Sequence, residues 1–177
     1  MHTSFCTCVI IKNDNGIAVN TEAAAKQHLK YMACVDGSDL AHDGYKVAAG
    51  LARRDFDPVV ACTLETPQSI NHIPHCFRPD IIVERYTEAN QMYVTPGMGE
   101  VLAIQRNRMS VPKQLCDVAD TSGAVFIAFG SQGLSGGKAA MGSVANYALK
   151  KGHCCVIIVK ANEHGCKQLF VNDPEEL

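Results

Sequence analysis

Apolar residues along the chain alternate between unbroken runs and stretches where they recur every third or fourth position, the signatures of buried strands and amphipathic helices. The runs are YMACV at 31–35, VVACTL at 59–64, EVLAIQ at 100–105, AVFIAF at 124–129 and HCCVIIVK at 153–160. Each is predicted as a strand, and the lack of polar alternation indicates burial on both faces. Between the runs, Leu40, Val47, Ala48 and Leu51 recur at helical spacing as far as Arg53 and Arg54. The same periodicity appears with Ile82, Tyr86 and Ala89 in 80–92, with Leu115, Val118 and Ala119 in 111–119, and with Val144, Tyr147 and Ala148 in 143–151. The boundaries carry matching signals. Asp57-Pro58 breaks the first helix, Ser110 is placed to cap the third with Pro112 tolerated in its first turn, Gly123 ends that helix, and Gly152 stops the last one after two lysines.

Strands alternating with helices predict an α/β fold: an open, doubly wound, five-stranded parallel sheet of Rossmann-like type. Ligands of such folds sit at the carboxyl ends of the strands, near the point where strand order reverses. The two most polar strand ends are Asp36-Gly37-Ser38-Asp39 and Gly130-Ser131-Gln132-Gly133. Residues 65–79 contain Pro67, Pro74 and Pro79 and are predicted as a loop with little regular structure, of the kind that often overlies a site. Residues 1–29 differ in character and form an N-terminal extension. The run 6–11, the turn Asn13-Asp14-Asn15-Gly16 and 17–19 predict a hairpin, and 21–30 a short Ala-rich helix. The main domain is then 30–160, followed by a polar tail over 161–177.

A chain of 177 residues suits one hydrophobic core, and 47% hydrophobic with 19% charged residues is a globular balance. The formal charge of −2 gives no reason to expect nucleic acid as a partner, and no apolar stretch approaches the roughly 20 residues of a membrane span. No basic segment precedes the 6–11 run, so an export signal is not expected. The nine cysteines are accordingly read as reduced thiols in a cytoplasmic protein.

The chemistry concentrates where the fourth strand ends. Gly130-Ser131-Gln132-Gly133 follows the strand directly, and Gly142-Ser143 opens a helix. Glycines admit close approach of the backbone to an anion, and a helix N-terminus adds N–H donors and a favourable dipole, so the segment reads as a phosphate cradle. It is not a Walker A loop, because Gln132 stands at the first glycine position before Gly137-Lys138 and Ala139 replaces the magnesium-binding Ser or Thr. Nor does GSQGLS carry the spacing of the dinucleotide fingerprint.

Asp36-Gly37-Ser38 after the first strand, with GSQGLSGGKAAMGSVANYALKKGHCCVIIVK over 130–160, resembles the universal stress protein (UspA-like) family in its ATP-binding class. The resemblance spans about 30–160 and is specific at its two ends. It implies an adenine nucleotide alpha hydrolase-like sheet that binds ATP, with Mg2+, at the carboxyl edge, and a homodimer paired through the last strand, 153–160. By position, Asp36 would meet the adenine, aided by Leu64 at the end of the second strand. Gly130 and Gly133 would hold ribose and phosphate, and Gly142, Ser143 and Val144 the phosphates. One departure stands out: 134–141 is eight residues, one fewer than the family pattern, and Gly136-Gly137 offers the shortened loop extra freedom.

Each assignment has a plainer counterpart. Asp36 can serve as a turn or cap residue, Gly130 and Gly133 as turn glycines, Ser143 as an N-cap and Lys138 as a solvated surface charge. Their joint occurrence at a strand end and a helix start favours the binding reading. His72, His75 and Cys76 lie close together, but neither they nor Cys6, Cys8, Cys154 and Cys155 match a zinc spacing. Packing is the better account of Cys34, Cys62, Cys116, Cys154 and Cys155. No metal ligands and no catalytic residues are assigned, and turnover is expected at most as slow ATP hydrolysis. The function expected is an ATP-dependent switch or sensor read by an unidentified protein partner. The alternatives are a nucleotide-free dimeric interaction module of the same fold and a thiol- or metal-responsive protein.

Overall fold

The computed structural model of the chain describes residues 28–53, 55–65, 74–132 and 141–160. Five strands, β1 (Tyr31–Cys34), β2 (Val59–Glu65), β3 (Gly99–Gln105), β4 (Phe126–Gly130) and β5 (Cys155–Val159), form one sheet in the order β3-β2-β1-β4-β5. Every pairing is parallel, with Tyr31 opposite both Val59 and Phe126. The helices α1 (Asp39–Leu51), α2 (Pro79–Tyr93), α3 (Val111–Ser122) and α4 (Ser143–Lys151) make the crossovers. The sheet and its alternating helices are those the apolar runs predict.

The sheet divides the interior in two. On one face Tyr45 and Ala48 of α1 and Ile82, Tyr86 and Ala89 of α2 pack on Ala33, Ala61 and Ile157. On the other face Leu115 and Ala119 of α3 and Ala145 and Ala148 of α4 pack on Met32, Ile127 and Val156. Both layers exclude water because side chains of β1, β2, β4 and β5 alternate between them, which is why those strands read as apolar runs, whereas the edge strand β3 contributes only the half-buried Val101, Leu102 and Ile104.

Several local expectations shift. The buried stripe of α1 runs through Ala41, Tyr45, Ala48 and Ala52, leaving Leu51, about 100° from its neighbour, 49% exposed. In α4 the buried positions are Ala145 and Ala148, with Val144 and Tyr147 half-buried. Ser110 occupies the N-cap position of α3 without making a side-chain cap, whereas Ser38 accepts from the N–H of Ala41 at 3.3 Å and caps α1. Gly123 closes α3 in the left-handed region at φ 71°. Strand β5 starts at Cys155, so His153 and Cys154 precede it; there Asp120 engages His153 at 3.1 Å.

The predicted hairpin and the tail after 160 lie outside the described residues. Residues 28–30, placed at the end of the Ala-rich helix, instead enter β1 without helical structure. The N–H of Leu29 donates to Asp57 Oδ1 at 2.8 Å, which holds the chain extended there. Asp57 is 1% exposed and also accepts two bonds of 2.7 Å from the Arg53 guanidinium and one of 3.0 Å from the Arg53 main chain. The pair locks the α1–β2 turn to the strand that begins the domain.

Candidate functional site

Strand order reverses between β1 and β4, because β2 and β3 continue to one side of β1 and β5 lies beyond β4. Above that junction, at the carboxyl ends of the strands, lies a cleft of about 650 Å³. That is within the usual range for a small-molecule site. Asp36, Leu64, Gly130, Gly142, Ser143 and Val144 all line it. Gly133 lies outside the described residues. The structure therefore brings together the sequence-selected positions that it describes.

Each part of the cleft has a local cause. Asp36 ends the β1 segment, where its Oδ1 accepts from the Ser38 N–H at 3.0 Å and the Ser38 hydroxyl at 2.6 Å. This Asx-type turn lets Ser38 cap α1 while Asp36 faces the cleft. On the β4 side, Ser131 N–H donates to Val159 O at 2.7 Å, extending the ladder to β5, and Gly142 N–H donates to Ser131 O at 2.6 Å. The last bond closes the base of the glycine-rich loop and sets the start of α4. Because α4 begins at Ser143 with Gly142 as N-cap and no side-chain cap, the N–H groups of Ser143, Val144 and Ala145 have no partner among the described residues. The positive end of the helix dipole thus lies at the cleft, which Ser143, Val144 and Ala145 line. The N–H of Gly142 is committed to the loop base.

The floor is apolar and carries thiols. Cys34 and Cys62 are register partners on β1 and β2 and both line the cleft. Burial, then the neighbouring thiols Cys62, Cys116 and Cys154, pushes the Cys34 thiol well up, and burial pushes Cys62 up to about 12. Both are neutral thiols at neutral pH and act as small hydrophobes. Among the described residues no group of three or more His, Cys, Asp or Glu is placed to hold a metal ion. Of the His72–Cys76 cluster, His75 and Cys76 are exposed on a turn and His72 lies outside the described residues.

The proline segment read as a loop overlying a site does form one wall of the cleft, with regular structure and lining side chains that the sequence reading did not name. Within the presumed proline loop, His75–Phe77 forms a 3-10 turn that runs into α2, and Pro74, Phe77, Pro79 and Ile82 line the side next to Asp36. The paired prolines and the lone aromatic between them were the available signal.

The sequence pattern of the Universal stress protein family matches residues 30–160. The chain belongs to the universal stress protein family. Solved members of like architecture include a universal stress protein from Archaeoglobus fulgidus, with a TM-score of 0.57, 22% identity, and 80% of this chain and 100% of that one covered. A universal stress protein in complex with cAMP matches with a TM-score of 0.56 and 16% identity over 75% of this chain and 97% of that one. The Archaeoglobus fulgidus protein in complex with dAMP gives a TM-score of 0.53 and 21% identity over 76% and 98%. No curated protein matches the chain significantly. The universal stress protein fold accounts for the strand order and for a cleft at the β1/β4 junction. No helix among the described residues is long and apolar enough to cross a membrane.

Proposed function

We propose that this universal stress protein binds an adenine nucleotide, with ATP as the leading ligand, in the cleft above β1 and β4. The observation that carries the reading is the convergence of Asp36, Leu64, Gly130, Ser143 and Val144 on one cleft whose far end is an uncapped helix N-terminus. In this reading Asp36 and Leu64 face the base, Gly130 and Gly133 the ribose and first phosphate, and Gly142, Ser143 and Val144 the remaining phosphates. The family members solved with cAMP and dAMP support it, since both ligands are adenine nucleotides. Asp36 is the one carboxylate among the described lining residues. With that carboxylate given to the base, a Mg2+ ion would arrive on the phosphates and keep most of its waters, and the Ser143 hydroxyl would be a side-chain oxygen at the phosphate end. The metal would neutralise phosphate charge. The protein's own groups would hold and orient the nucleotide, and the bound triphosphate would order the segment 130–143 as a surface read by a protein partner. Strand β5 pairs only with β4 among the described strands and would pair a homodimer along 153–160.

Calorimetric titration with ATP, with and without Mg2+, tests the binding, and mass spectrometry of material released on denaturation tests for carried nucleotide. Ser143→Asp is the matched control: an anion in the first helical turn favours the helix and repels phosphate, so affinity should fall at least tenfold with stability retained. The eight-residue spacing 134–141 favours a second reading, a nucleotide-free dimeric interaction module. Absence of both binding and carried nucleotide, with a dimer by light scattering, would select it.

A further inference from the structure

The wall beside Asp36 is built by Pro74, Phe77, Pro79 and Ile82, which lie between β2 and the body of α2. Phe77 lines the cleft and is half-buried, yet it belongs to neither hydrophobic core cluster. A large aromatic ring left out of both cores and turned toward a cleft is available to a ligand. Its position is fixed from three sides. Phe77 N–H donates to Pro74 O at 2.9 Å and Arg78 N–H to His75 O at 3.2 Å, which close the 3-10 turn. Pro79 opens α2 immediately afterwards, and Ile82 N–H donates to Arg78 O at 2.9 Å, so the turn is continuous with the helix. On the third side is Gly37, the residue after Asp36. It has φ +88°, and a β-carbon there would lie 2.3 Å from Cys76 O and 2.9 Å from Phe77 Cδ1. The turn is therefore seated directly on the backbone next to the carboxylate, and only glycine permits the seat.

From this we infer that Phe77 is a base-stacking residue of the cleft, giving it a preference for purine over pyrimidine nucleotides. An aromatic ring that lines the cleft against Gly37, the residue next to the Asp36 carboxylate, suits a heterocycle that is planar and carries hydrogen-bond donors at its edge. Bases stack on aromatic rings, and a purine offers the larger surface. Gly37 acts through Phe77 as a positioning residue. The inference rests on the nucleotide reading of the same cleft and adds the group that selects the base.

The chain contains no tryptophan, so Phe77→Trp supplies a single emission reporter at the wall. Saturating ATP should quench that emission, and CTP should quench it less. Phe77→Ala should weaken ATP about tenfold and narrow the ATP to CTP affinity ratio, while Gly37→Ala, whose β-carbon would crowd both the Cys76 carbonyl and the Phe77 ring and displace the turn, should do the same. ATP bound by calorimetry with unchanged Phe77→Trp emission, or a Phe77→Ala variant with the wild-type ATP to CTP ratio, would overturn the stacking role and leave the nucleotide reading standing. Failure of the wild-type protein to bind any nucleotide would instead overturn the nucleotide reading on which the inference rests.

Discussion

A β-carbon on Gly130 would lie 2.7 Å from the carbonyl carbon of Leu40, so the first turn of α1 rests directly on the end of β4. Gly130 is not among the glycines with positive φ, so contact rather than conformation demands it. Gly130→Ala should cost about 1–3 kcal/mol through overpacking, seen as a lower urea midpoint with the m value unchanged. Wild-type stability in that variant would refute the contact. Loss of nucleotide affinity in a Gly130 variant would consequently report packing as well as ligand contact, which makes Ser143 the cleaner position to alter.

Two buried tyrosines on facing helices differ in one respect. The Tyr45 hydroxyl donates to Asn90 Oδ1 at 2.7 Å, and the Tyr86 hydroxyl, equally buried, has no hydrogen-bond partner among the described residues. Their rings meet edge to face with centroids 5.0 Å apart, so the apolar surroundings are shared. Burial pushes both hydroxyls far above their ordinary range. Tyr45→Phe should destabilise by about 1 kcal/mol and strand the Asn90 amide, while Tyr86→Phe should be neutral or stabilising. Equal losses in thermal unfolding of the two variants would contradict the asymmetry.

The Arg53–Asp57 pair predicts a specific acid sensitivity. Burial alone would raise the Asp57 carboxyl, but the Arg53 guanidinium and the N–H groups of Leu29 and Arg53 outweigh it and hold the group below its ordinary 3.8. A carboxyl depressed in the folded state contributes its full stabilisation above that ordinary value and loses it as pH falls through the folded one. Asp57→Asn should cost about 2 kcal/mol at pH 7, less than a fully buried pair because Arg53 is 39% exposed. The variant should also show a flatter decline in stability below about pH 4 than the wild type. A parallel decline in the two proteins would show that other carboxylates govern the acid limb.

Thiol reactivity should follow exposure. Among the six described cysteines Cys76 is exposed, and Cys34, Cys62 and Cys116 are buried. Burial, reinforced by Asp120 and Asp117, pushes Cys116 up to about 11, and burial together with a hydrogen bond to Asp120 pushes Cys154 up to about 12. Brief iodoacetamide treatment of the folded protein at pH 7.5, followed by peptide mapping, should label Cys76 well before Cys34, Cys62, Cys116 or Cys154. Early modification of Cys34 or Cys62 would indicate a cleft floor open to reagents and revive a thiol-based function.

Those outcomes bear on how the chain encodes its fold. Strands β1, β2, β4 and β5 were legible because burial on both faces writes each as an apolar run, the edge strand β3 because its apolar residues are consecutive though none is fully buried, and α3 and α4 because Gly123, Gly152 and Pro112 punctuate them. The strand-end turn at Asp36 and the helix start at Ser143 were legible for a similar reason: anion and turn chemistry restricts the residue type at each position. The Asp57 clasp was not, since Asp57-Pro58 reads locally as a helix breaker and its partner Leu29 lies 28 residues away. The 3-10 turn at Phe77 was hidden by the prolines that shape it. Whether Leu51 or Ala52 faces inward was set by the helix's rotation against β4, a long-range contact no periodicity count contains.

The bond from Gly142 to Ser131 has a further consequence for how this chain can vary. It ties the two ends of the ten residues 132–141 together at the sheet edge, in the manner of a purse string. For a flexible loop, one residue more or less changes the closure entropy by only about 0.1 kcal/mol. The start of α4, and with it Ser143, is thus anchored to the end of β4 by a main-chain bond made outside the loop itself.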